Sequence, residues 1–312
     1  MKANDVLATL LATLPPGSVA AFKDPLITGS RIISSGPPEP LPVYSITKLF
    51  IAAGVLRALD ARLLSLEDSL ASRLPGAPSG CSIKEVLHHT AGLGNYTFSP
   101  EYLRAVQQEP GSPWSLEKIA TASTIGRSGS FDYSNTGFWY LGALLEELSG
   151  MSLSQYLHRK VFDPADMHET RYPELETSVI NTGYSTLWAG PAGAAYSTPA
   201  DLLHFVQFIR GNESLWTPPL SGQATKEFFT TVQVAATAPW IDPAYGTGVM
   251  VDRELGVWGH GGSGPEYRSA VFAHFDSGLA AAIICPVTDT FFPEEKLLEW
   301  FALYKQSSIT SA

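Results

Sequence analysis

Val43-Tyr44-Ser45-Ile46-Thr47-Lys48-Leu49-Phe50 opens an apolar run that continues to Leu59. Ser45 and Lys48 stand three apart, at the start of what reads as a buried helix. That spacing stacks two side chains on one helical face. A serine at a helix N-terminus has unpaired backbone N–H groups and the positive end of the helix dipole beside it, a favourable place for negative charge to develop on a substrate oxygen. Burial of Lys48 in the apolar run disfavours its charged form, as a base for the serine proton requires. By itself, Ser-x-x-Lys also describes a capping serine beside a solvated lysine, so its meaning depends on the other motifs of the chain.

Composition bounds the answer without deciding it. The chain has 312 residues, 45% of them hydrophobic and 16% charged, with a formal net charge of −10. This is enough to bury one large core or two intimate subdomains. Neither a basic nucleic-acid surface nor a polybasic membrane patch is expected. Cys81 and Cys285 make no disulfide framework and read as small hydrophobes. Val6 to Leu14 could be an export signal, with Ser18-Val19-Ala20 as its cleavage site. However, Leu7, Leu10, Leu11 and Leu14 recur at helical spacing between Asn4 and Pro15-Pro16. An amphipathic helix belonging to the fold, and hence a cytoplasmic protein, is expected. No other run is long enough to span a membrane.

Gly17 to Phe22 and Arg31 to Ser34 read as strands around a turn at Asp24-Pro25, and Gly36-Pro37-Pro38-Glu39-Pro40 as a stiff loop leading to Ser45. The central region reads as helices: Ile83 to His89, Leu116 to Ser123, Thr136 to Leu148 (capped by Asn135 and closed by Gly150), Met151 to Val161 and Pro199 to Arg210. Strand patterning returns in Gly246 to Asp252, Leu255 to Gly262, Arg268 to Phe275 and Leu279 to Pro286, with a turn at Asp276-Ser277-Gly278. A helix from Pro293 to Lys305 ends the pattern. Strands at both ends with helices between imply one antiparallel sheet made from the two termini, covered by helices, beside an all-helical insertion.

Two more motifs come after Ser45 in order. In Asp132-Tyr133-Ser134-Asn135, Tyr133 can be a core aromatic or a proton carrier acidified by a neighbouring ammonium. Asn135 can be a helix cap or a donor to a substrate carbonyl. In Trp258-Gly259-His260-Gly261-Gly262-Ser263, glycines on a strand indicate that a ligand or another backbone approaches closely. A free N–H at Ser263 could complete an oxyanion hole with that of Ser45.

Ser-x-x-Lys, Tyr-x-Asn and His-Gly-Gly in this order resemble the penicillin-recognising serine hydrolases, most closely the class C β-lactamase branch with its carboxylesterases, D-peptidases and acyltransferases. Leu87-His88-His89-Thr90-Ala91-Gly92-Leu93 is similar to that branch's Leu-x-His-Thr-Ser-Gly-Leu. The stretch from Gly193 to Leu202 is similar to its Gly-Gly-x-x-Ser-Thr-x-x-Asp-Leu. The resemblance runs from about Gly17 to the C-terminus. It implies a β-lactamase/transpeptidase-like α+β fold: one domain over 1–312 with a five-stranded antiparallel sheet. The sheet subdomain would span roughly 1–44 and 245–312, and the helical one roughly 45–244. It implies Ser45 as acylated nucleophile, Lys48 as general base and Tyr133 as proton shuttle to the leaving group and activator of the deacylating water. Asn135 would hold the substrate carbonyl or Lys48. His260 would take the cationic third-motif position, and the N–H groups of Ser45 and Ser263, beside Gly262, would form the oxyanion hole. The glutamate base of the class A branch has no counterpart here, since no Glu-x-x-Leu-Asn stretch is present.

Several residues depart from that pattern. The segment before Ser45 is short, and His260 replaces the lysine of true class C β-lactamases. Glu266 puts a negative charge behind the third motif, against which Arg268 could act. The other histidines are adjacent or scattered, so neither a metal nor a cofactor is expected. The pocket walls are expected to be aromatic, chiefly Tyr96, Trp188 and Tyr196, with Phe98, Trp114, Tyr184, Trp240 and Tyr245 as further candidates. The expected function is a serine hydrolase acting through a Ser45 acyl-enzyme on a small uncharged ester or amide. The alternatives are a D-specific peptidase or amidase, a weak β-lactamase or an acyltransferase on the same machinery, and then a non-catalytic penicillin-binding sensor. The expected partner is a small-molecule substrate rather than nucleic acid or membrane.

Overall fold

Three neighbouring strands are apolar on both faces, and this decides how the molecule is layered. The computed structural model describes residues 10–25, 33–36, 39–126, 128–211 and 220–309. Its strands are β1 (Val19–Lys23), β2 (Ile33–Ser35), β3 (Leu41–Pro42), β4 (Tyr196–Ser197), β5 (Val232–Gln233), β6 (Pro243–Tyr245), β7 (Met250–Asp252), β8 (Val257–Ser263), β9 (Tyr267–His274) and β10 (Ala280–Pro286). Eight of them form one sheet in the order β2-β1-β10-β9-β8-β7-β6-β5, every pair antiparallel, while β3 and β4 pair separately. The class is as expected, but the main sheet has eight strands rather than five. The two that the sequence did not show, β5 and β6, are only two and three residues long, too short to show alternation.

Side chains alternate across the strands. Val19, Ala21, Val271, Ala273, Ala280, Ala282 and Ile284 enter the large core that also holds α1 (Thr47–Asp60). Ala20, Phe22, Ala270, Phe272, Ala281, Ile283 and Cys285 enter a second core with Leu297, Leu298, Trp300 and Phe301 of the final helix. Leu303 of the same helix is exposed. The N-terminal helix expected from Val6 lies partly outside the described residues; residues 10–12 are helical and Leu10 is buried in the second core. Arg31, Pro37 and Pro38 also lie outside them.

Helix α1 is buried from Thr47 through Leu56, as a helix apolar all round must be. Phe50 packs edge-on against Phe162 and Phe205 with centroids 5.2 Å apart in each pair. The other helices that frame the site are α2 (Ile83–Leu87), α3 (Asn135–Ser149), α4 (Pro199–Ile209) and α5 (Pro293–Ile309). Helix α3 is capped by Ser134, whose hydroxyl accepts from the Thr136 N–H at 3.2 Å, and not by Asn135 as expected. Gly150 closes it in the left-handed conformation. The helix expected over Met151 to Val161 is an α-helix, Leu153–Leu157, running into a π-helical turn, His158–Phe162. Among the described residues no helix is long and apolar enough to cross a membrane.

Candidate active site

Ser45 lies on a single 3₁₀ turn, Tyr44–Ile46, immediately before α1. Tyr44 holds φ at 46°, a conformation that costs a non-glycine residue about 1–3 kcal/mol and persists only where its surroundings impose it. The surroundings are visible on both sides of Val43. Its N–H donates to the Ala195 carbonyl at 3.0 Å, and its carbonyl accepts from the buried Ser269 hydroxyl at 2.7 Å. Strand β8 then passes so close that a Cβ on Gly262 would lie 2.2 Å from the Val43 oxygen and 3.1 Å from the Ser45 nitrogen. Only glycine fits, which gives the third motif its second glycine a physical reason.

Lys48, the second residue of α1, is fully buried. Its Nζ lies 2.7 Å from Asn135 Oδ1, 2.7 Å from the Ala192 carbonyl and 3.2 Å from Ser45 Oγ. Burial pushes its pKa well below the ordinary lysine value. A neutral amine has two N–H donors and one lone pair. The two short contacts to oxygens that can only accept take the donors, so the lone pair is left facing Ser45 Oγ. The nitrogen also lies 5.0 Å from the centroid of the Tyr133 ring and 5.4 Å from that of Phe138, so an ammonium formed by proton uptake meets two aromatic faces.

Tyr133 hydrogen-bonds Ser45. Burial raises its phenol above the ordinary value, the Ser45 hydrogen bond partly offsets this, and Glu294 raises it further. The acidified phenol that the sequence left open as one reading finds no support here: burial disfavours the phenolate, and Lys48 itself favours the neutral form. His89 holds this segment in place. Its carbonyl accepts from the Asp132 N–H at 2.8 Å, its Nδ1 accepts from the Ser134 N–H at 3.1 Å, and its ring centroid is 4.4 Å from that of Tyr133. Asn135 is fixed from behind, donating through Nδ2 to Asn95 Oδ1 at 3.3 Å.

His260 is buried on β8. Its Nδ1 meets the Gly261 carbonyl at 2.6 Å, which can only accept, so Nδ1 carries the proton. Nε2 is then left to accept from the Tyr245 hydroxyl at 3.1 Å. Burial lowers its pKa to about 3. The third motif thus presents a neutral imidazole with both nitrogens occupied, in place of a cation.

Ser45, Tyr133, His260, Gly262, Ser263 and Arg268 line one cavity of about 400 Å³. Of the expected aromatic walls, Tyr96, Trp188 and Tyr196 do not, whereas Trp240 and Tyr245 line an adjoining cavity of about 260 Å³ that shares Tyr133. Tyr96 and Trp188 are buried together, the Tyr96 hydroxyl donating to the Trp188 carbonyl at 2.8 Å. Tyr196 is buried with its hydroxyl on the Ser178 carbonyl at 3.0 Å and Arg171 over its ring. These three are core residues because each polar tip finds a partner inside. Glu266 turns away to accept from the Thr182 N–H at 2.6 Å and does not oppose Arg268. Arg268 donates to the carbonyls of Thr288 and Phe291 and stacks on Phe292 at 4.0 Å. The residue not anticipated is Glu294, in the first turn of α5 and on the cavity wall. The only hint of it in the sequence is an acid following Pro293. Among the described residues no group of three or more His, Cys, Asp or Glu could hold a metal ion.

This arrangement can deprotonate Ser45 toward Lys48 and hold a proton at Tyr133 beside the same oxygen. Residues 34–302 match the family model described as Beta-lactamase. Penicillin-binding protein 4* of Bacillus subtilis (strain 168) is 27% identical over 274 residues, covering 74% of this chain and 57% of that protein. A D-aminopeptidase of Brucella anthropi is 26% identical over 287 residues, covering 80% and 52%. The chain thus spans about half the length of these curated relatives. Among solved structures, D-amino acid amidase from Ochrobactrum anthropi SV3 superposes with a TM-score of 0.78 at 18% identity, covering 98% of this chain and 99% of that one. A D-stereospecific amidohydrolase from Streptomyces sp. superposes with a TM-score of 0.75 at 23% identity, covering 91% and 93%. At such identities the superpositions establish the fold.

Proposed function

The chain belongs to the beta-lactamase family of serine hydrolases, and from that membership we propose that it forms a Ser45 acyl-enzyme with small esters or amides that carry no carboxylate beside the scissile bond. The observation that carries this reading is the Lys48 amine, with two hydrogen bonds fixed and its third valence toward Ser45 Oγ. Lys48 takes the Ser45 proton as Oγ attacks the carbonyl carbon. The developing oxyanion is met by the N–H groups of Ser45 and Ser263. Tyr133 passes the proton from the Lys48 ammonium to the leaving group, and in the second half-reaction it draws the proton from the attacking water.

Substrate class follows from the missing cation. Burying a carboxylate costs several kcal/mol unless a cation pairs with it. His260 is neutral with both ring nitrogens engaged, and Arg268 is turned onto two carbonyls and a ring. The D-aminopeptidase and D-amino acid amidases among the similar proteins favour a second reading, hydrolysis of D-amino-acid amides on the same machinery. The test compares kcat/KM for a short-chain p-nitrophenyl ester, a D-amino-acid amide and a cephalosporin. The ester or the amide should exceed the cephalosporin by at least about 10²-fold, equivalent to about 2.7 kcal/mol of transition-state binding. Equal turnover of the cephalosporin would replace this reading with that of a β-lactamase.

A further inference from the structure

Glu294 stands where an acid is easily dismissed. It is in the first turn of α5, and carboxylates are favoured there by the helix dipole whether or not they touch anything else. Glu295 fits that description and is exposed, but Glu294 is largely buried against β8. Its Oε1 accepts from the Trp240 indole N–H at 3.1 Å. Its Oε2 occupies the space beside Gly261, where a Cβ would lie 1.8 Å away. The first glycine of the His-Gly-Gly motif is therefore what admits this carboxylate to the cavity.

The carboxylate has an indole donor but no cation. Among the described residues no ion pair engages Glu294, and the pair on its helix joins Lys296 to Glu299. Arg268 lines the same cavity but is held by the carbonyls of Thr288 and Phe291. A partly desolvated carboxylate facing a cavity of about 400 Å³, with the aromatic rings of Phe292 and Tyr133 on its walls, suits an ammonium group. The side of the scissile bond it serves follows from Tyr133. Glu294 shares the cavity wall with Tyr133, whose hydroxyl hands the proton to the departing atom.

We propose that Glu294 forms a cation-recognising subsite on the leaving-group side of the cavity, selecting esters or amides whose leaving group carries an ammonium. This rests on the reading of Ser45 as the acylated residue. With an amino-alcohol ester, Ser45 Oγ bonds to the acyl carbon and the C–O bond to the leaving oxygen breaks. That oxygen takes its proton from Tyr133, and water then cleaves the acyl–serine ester to release the acid.

The test uses two butyrate esters with isosteric leaving groups, choline and 3,3-dimethylbutanol. Wild-type enzyme should favour the choline ester in kcat/KM by at least about tenfold, and Glu294→Gln should bring the ratio near unity. Gly261→Ala, which displaces the carboxylate from its place under the strand, should lower the ratio as well. A wild-type ratio below about two, or a preference that persists in Glu294→Gln, overturns the subsite. If neither ester acylates Ser45, the hydrolase reading fails and the subsite is judged separately by calorimetric titration with choline. Heat of binding present in wild type and absent in Glu294→Gln supports it, and no binding to wild type overturns it.

Discussion

Gly262→Ala tests whether β8 and the Ser45 turn form one rigid unit. The added methyl would lie 2.2 Å from the Val43 oxygen, 2.6 Å from Ser269 Oγ and 3.1 Å from the Ser45 nitrogen. None of these can easily yield. The Val43 carbonyl is tied to Ser269, its N–H is tied to Ala195, and Tyr44 is already in a strained conformation. Restoring ordinary contact requires β8 and the turn to separate by about 1 Å, a displacement that costs roughly 10²-fold in rate when it misplaces reacting groups. The same overpacking should cost about 1–3 kcal/mol of stability, so the variant remains folded at assay temperature if the wild type has ordinary stability. The measurement is kcat/KM for a p-nitrophenyl ester beside the thermal midpoint of each protein. A loss near two orders of magnitude with a modest drop in midpoint is expected. Activity within threefold of wild type at an unchanged midpoint would refute the reasoning.

Tyr133→Phe keeps the ring beside Lys48 and His89 but removes the hydroxyl, and should lower kcat by about 10²–10⁴-fold. A loss under about threefold would reduce Tyr133 to a packing residue. The buried histidines set an acid limit on stability. Burial lowers His88 to about 4 and His260 to about 3, so the unfolded chain binds their protons first. Their contribution is complete above the ordinary histidine value of about 6.5 and declines as pH falls toward the folded values. The thermal midpoint should therefore drop between neutral pH and about pH 4, and less steeply in His88→Gln. Parallel profiles for the two proteins would contradict the assignment to His88.

The three motifs were legible because each lies in a stretch whose chemistry is local: a serine and a lysine one helical turn apart, a tyrosine before a helix, glycines in a strand. Strands β9 and β10 were legible because both of their faces are apolar and their lengths suffice. What was lost depends on packing between distant segments. Asn135 and Ser134 are equally good caps by type. Asn135 is drawn away because Lys48 takes its oxygen, 87 residues off in sequence. Tyr96, Trp188 and Tyr196 read as wall residues because an aromatic looks the same whether its hydroxyl or indole finds water or a buried carbonyl. Glu294 reads as a helix-start acid, and its place in the cavity depends on Gly261 leaving room on another strand. The engagement of both His260 nitrogens was not legible, because one partner, Tyr245, lies on another strand.

The most direct test of the account tracks the acylation of Ser45 by a fluorophosphonate, read by intact mass as a function of pH. Lys48 must be unprotonated to accept the serine proton, and burial holds its pKa well below the ordinary value. The labelling rate should therefore reach its plateau well before the ordinary lysine pKa of about 10.4. Ser45→Ala should take no label, and Lys48→Ala should lose the plateau along with most of the rate. A rate that keeps rising about tenfold per pH unit through about pH 9, or a label that persists in Ser45→Ala, would contradict the claim that a neutral Lys48 activates Ser45.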